Sequence, residues 1–140
     1  MLILLLATCL LPFLLGGLIA RFILVHPLIG IAFLIVWAAL SFLLHGYYKK
    51  RTVIISLHAA GFILLVCQFF PLTSRIPFLL SAVQWYFLPA MQFNILPISR
   101  LFYLIFGQVT VVHMYCISLL FMVIASYIGC ILRKKLPKSQ

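Results

Sequence analysis

Long apolar runs, separated by short knots of polar, basic or proline residues, dominate the chain. Residues 2–20 form the first run, about 28 Å as a helix and enough for the hydrocarbon core of a bilayer. His26-Pro27 marks the next boundary, because proline suits the first turn of a helix and disfavours helix just before it. Residues 28–48 follow as a second run, closed by Lys49-Lys50-Arg51, and residues 52–70 as a third, closed by Pro71. Only a few residues join the second and third runs, so those helices are expected to be antiparallel neighbours.

Residues 101–132 carry no charge, but one helix of that length would be about 48 Å long and overshoot a bilayer. Gly107 and Gln108 offer an entry level, leaving residues 109–132 as the fourth span, stopped by Arg133-Lys134-Lys135. Between the third and fourth spans, Gln84, Pro89, Gln92, Asn94 and Pro97 interrupt the apolar pattern. Breaks of this kind leave backbone groups unpaired, which hydrocarbon penalises. The reading is therefore an interfacial or re-entrant element over residues 78–106. Residues 78–88 are expected to lie flat, Trp85 or Tyr86 near the headgroups, and the chain to turn near water at residues 89–97.

Composition supports a membrane setting. Hydrophobic residues make up 67% of the 140 positions and charged residues 7%, too few to cover a soluble domain of this size. The predicted fold class is an all-α integral membrane protein, a single multi-pass domain of four transmembrane helices with the interfacial or re-entrant segment between the third and fourth.

Charge then sets orientation. With four spans and an inner N-terminus, the cytoplasmic side holds Lys49, Lys50, Arg51, Arg133, Lys134, Lys135 and Lys138, and the outer side Arg21, Arg75 and Arg100. Cytoplasmic loops carry the excess of Lys and Arg, so both termini are expected in the cytoplasm. A fifth span would reverse the bias. These basic knots lie between apolar runs, without a basic helix or zinc-finger spacing, and point away from nucleic acid.

The chain has ten Lys and Arg but no Asp or Glu. That excludes carboxylate-pair hydrolysis, aspartyl dyads and Asp-held magnesium, and the acidic residues that relay protons in many transporters. Cys67, Gln68, His113 and Cys116 would form a polar packing layer if spans three and four meet. Interhelical hydrogen bonding is the favoured role for that layer, ahead of a Cys67–Cys116 redox pair or a metal or haem site. An inner layer could draw on Ser41, Ser56, His58, Ser126 and Tyr127. Ser56 and His58 are two residues apart and point apart on a helix, and nothing acidic could orient the imidazole of a triad. No catalytic residue, metal ligand or cofactor site is assigned.

Small-xxx-small pairs occur at Gly16/Ala20, Ser56/Ala60 and Ala125/Gly129 and allow close backbone approach in lipid. The expected partners are membrane lipid and, through such faces, other membrane proteins or a second copy. Function is expected to be non-catalytic: an accessory, assembly or regulatory subunit. The alternatives are a reading frame not shaped by selection, since translating the strand opposite a charged coding sequence can yield such runs, and a small oligomeric transporter or channel.

Overall fold

The computed structural model of the chain describes residues 2–22, 26–70, 76–94, 103, 104, 107 and 110–135. Five long helices lie within them: α1 (Leu2–Phe22), α2 (Pro27–His45), α3 (Lys50–Phe69), α4 (Pro77–Asn94) and α5 (Val111–Lys135). Four of them, α1, α2, α3 and α5, are long and apolar enough to cross a membrane; α4 is the additional, less apolar helix between the third and last of these. The chain is thus an all-α multi-pass membrane protein.

Helix ends have local causes. At α2, His26 is extended and its Nδ1 accepts the Leu28 N–H at 3.2 Å, with Pro27 in the first turn. The α2–α3 turn closes with Gly46 donating its N–H to the Leu43 carbonyl at 3.0 Å. Lys50 begins α3, where the helix dipole disfavours a cation. Its Nζ lies over the Tyr127 ring, 3.5 Å from the centroid, a cation–π contact that offsets the misplacement. Arg133, Lys134 and Lys135 occupy the last turn of α5, where the dipole favours them.

Before α5, Gly107 has a φ of 68° and ends any continuous helix. Thr110 and His113 then form a capping box. Thr110 Oγ1 accepts the His113 N–H at 3.4 Å, and His113 Nδ1 accepts the Thr110 N–H at 3.2 Å. Glutamate usually takes the second role; in a chain without carboxylates histidine takes it.

The bundle differs from the sequence reading at α4. Helix continues through Pro89 to Asn94, so the chain does not turn at Pro89; residues 95–97 of the expected turn lie outside the described residues. Tyr86, Phe87, Pro89 and Gln92 are buried, while Phe78 and Trp85 are exposed. Instead of covering the bundle, α4 enters it and touches each of the other four helices.

Packing satisfies two of the polar groups that suggested an interface. Tyr86 Oη donates to the Leu57 carbonyl at 3.2 Å, and Gln92 Oε1 accepts the His26 N–H at 3.1 Å. Pro89 deprives the Trp85 carbonyl of its helical donor. That carbonyl abuts Gly16 of α1, where a Cβ would overlap it. Protein thus surrounds the irregularities that lipid would not tolerate. Residues 95–102, 105 and 106, which complete the expected re-entrant segment, lie outside the described residues.

The interior is built around Trp37, Leu44, Val53, Val83, Tyr86, Phe87 and Met122. Aromatic contacts link the helices: Phe13 meets Tyr86 edge-on at 5.1 Å, and Phe87 stacks on Tyr115 at 5.0 Å. Leu2, Leu6, Leu10, Leu14 and Leu18 line the exposed face of α1, as a lipid-facing stripe requires.

Candidate functional site

Three helices bring a polar cluster together inside the bundle. Trp37 and Ser41 are four residues apart on α2 and share a face; His58 comes from α3 and Ser126 from α5. Trp37, Ser41 and Ser126 are fully buried and His58 nearly so. His58 Nδ1 lies 2.7 Å from the Ile54 carbonyl, which fixes the proton on Nδ1 and leaves Nε2 as acceptor. Trp37 Nε1–H donates to that Nε2 at 3.3 Å, and Ser126 Oγ lies 3.4 Å from it. Ser41 Oγ is 2.9 Å from the Trp37 carbonyl and 3.0 Å from Ser126 Oγ.

These bonds form one consistent circuit. The indole N–H and the Ser126 hydroxyl share the one lone pair of Nε2, the imidazole donates to a carbonyl, and Ser41 donates to either neighbour. A serine beside a histidine is chemically suggestive, but Ser126 is closed to water and the imidazole nitrogen that would take its proton also receives the Trp37 N–H. What the arrangement does well is join α2, α3 and α5, because polar side chains inside a membrane seek partners.

Of the five residues expected in an inner layer, Ser41, His58 and Ser126 meet here. Ser56 faces α1, where its carbonyl lies 3.6 Å from Cys9 Sγ, and Tyr127 is exposed beneath Lys50. Trp37 was missed, although its position one helical turn before Ser41 was a usable signal.

The residues of the other expected layer stand on α3 and α5, away from the basic end of the bundle. Cys67 and Gln68 stand near the end of α3 and are half-buried, Cys116 is half-buried on α5, and His113 is exposed in the cap already described. Both cysteines are free thiols, and Gln68 Oε1 is buried with no hydrogen-bond partner among the described residues. No group of three His or Cys that could hold a metal occurs among the described residues.

The basic residues Lys49, Lys50, Arg51, Arg133, Lys134 and Lys135 gather at one end. Lys50 reaches Tyr127 of α5, and Arg133 lies 5.2 Å from the Phe42 ring of α2. Arg21 ends α1 near the opposite end. Lys138, Arg75 and Arg100 lie outside the described residues.

The glycines of two small-residue pairs make internal contacts. Gly16 meets α4 at Trp85, and Gly129 meets α2 at the Ala38 carbonyl, where a Cβ would overlap the main chain. On α3 a close approach is at Gly61, where a Cβ would come within 2.5 Å of the Tyr86 ring; Ser56 and Ala60 are half-buried.

Comparison of the chain with family models, curated proteins and solved structures finds no match.

Proposed function

We propose that the chain acts without catalysis, as an accessory, assembly or regulatory subunit in a membrane, with both termini in the cytoplasm. One observation carries the reading: the reactive groups inside the bundle are engaged with one another. His58 has both ring nitrogens in hydrogen bonds, and Ser126 is fully buried. Both are closed off from a substrate by burial. The groups left to act on other molecules lie on the lipid-facing surface and at the two ends.

The test is native electrophoresis of an epitope-tagged chain, expressed at native level and extracted in mild detergent. The accessory reading expects migration in an assembly well beyond the 15.9 kDa chain and its micelle, unchanged by Ser126→Ala. A chain that migrates alone, with a cellular phenotype that Ser126→Ala abolishes at normal abundance, overturns it. Detecting a native peptide in a membrane fraction separately tests the alternative of an unselected reading frame. Topology reporters fused after Gln140 and after Ser74 should report opposite sides, with Gln140 in the cytoplasm.

A further inference from the structure

Along the outside of α2 and α5, towards the basic end of the bundle, runs a groove of about 580 Å³ lined by Ile35, Ala39, Phe42, Gly129, Leu132 and Lys135. Its origin is the close approach at Gly129. Backbones meet there, so the flanking side chains splay, and Ala38, Ala39 and Gly129 are too small to fill the space between them. From Ile35 to Phe42 the groove follows about 10 Å of helix. Its wall is hydrocarbon apart from Lys135. Beside it, the Arg133 guanidinium rests against the Phe42 ring at 5.2 Å.

That combination selects an occupant. An apolar slot parallel to a spanning helix accepts a hydrocarbon chain, and a cation at its membrane-surface end calls for an anion. The sequence has no Asp or Glu, so no acidic side chain of the protein neutralises Lys135, and the charged side chains of a second copy are all cationic. In a bilayer the anions at that level are lipid phosphates. We infer that this groove is a binding site for an anionic phospholipid, one acyl chain seated between α2 and α5 and the phosphate on Lys135.

Native mass spectrometry of the full chain released from mixed micelles tests the site, with phosphatidylglycerol and phosphatidylcholine of identical acyl chains as probes. One phosphatidylglycerol should be retained in preference to phosphatidylcholine. Lys135→Gln should reduce that preference by about fivefold, the factor equivalent to about 1 kcal/mol for one surface cation. Lys134→Gln, next in sequence but outside the groove lining, should leave the preference unchanged. Ala39→Phe fills the groove from an exposed position and should abolish retention of the first lipid. If it disturbs folding, the two lysine variants still decide. Equal retention of both lipids, or equal losses from Lys134→Gln and Lys135→Gln, would reduce the effect to a diffuse basic surface and overturn the site. Competition by glycerol phosphate, which lacks acyl chains, as effective as that by phosphatidylglycerol would show phosphate binding without the groove.

Discussion

Replacing Gly16 by alanine adds one methyl group where α1 meets α4, and Gly17→Ala makes the same chemical change one position along the same helix. A Cβ on Gly16 would overlap the Trp85 carbonyl and come within 2.8 Å of Trp85 Cα, whereas a Cβ on Gly17 meets nothing within 4 Å. The obstruction at Gly16 is main chain inside a helix and cannot rotate aside, so α1 and α4 must part. Overpacking of this kind costs about 1–3 kcal/mol, and parting would also weaken the Phe13–Tyr86 contact, a pair type worth about 0.5–1.5 kcal/mol. Alanine recovers up to about 1 kcal/mol of helix propensity at either site. Gly16→Ala should therefore lose about 1–3 kcal/mol overall, and Gly17→Ala should be neutral or gain up to about 1 kcal/mol. Reversible unfolding of the purified chain in mixed micelles of rising SDS fraction, followed by tryptophan fluorescence, measures both. Equal stabilities for the two variants would refute the close crossing of α1 and α4.

Trp37→Phe and Ser126→Ala should each cost about 0.6–1.7 kcal/mol. The double variant should lose more than their sum, since His58 Nε2 then has neither of its donors; additive losses in the same unfolding assay would count against the shared acceptor. His113→Leu removes the side-chain acceptor for the Thr110 N–H and should cost about 0.5–2 kcal/mol, whereas His113→Gln, which can complete the capping box, should lose little. A loss from glutamine as large as that from leucine would rule the cap out as the residue's role. In a background without the native cysteines, cysteine at exposed position 84 should react with a thiol reagent in micelles, and cysteine at buried position 92 should be protected. Fast labelling at 92 would restore the flat segment that the packing of α4 displaces.

Much of the framework was legible from local pattern alone. Apolar runs long enough for a bilayer, divided by His26-Pro27, Lys49-Lys50-Arg51 and Arg133-Lys134-Lys135, locate four helices to within a few residues, because span length and charge exclusion are local properties. The small residues Gly16 and Gly129 and the polar residues Ser41, His58 and Ser126 could likewise be named in advance as places where helices meet. Their partners could not. Trp85 as the neighbour of Gly16, Ala38 as that of Gly129, and Trp37 as the donor to His58 depend on how the helices are arranged around one another. The depth of α4 shows the difference most clearly. Pro89, Gln92 and Tyr86 read as marks of water because an isolated segment in lipid could not satisfy them. Inside the bundle, Gly16 makes room for the Trp85 carbonyl, Leu57 accepts from Tyr86, and His26 donates to Gln92. Whether a polar group in a membrane faces water or protein depends on partners distant in sequence, and that only the tertiary structure decides.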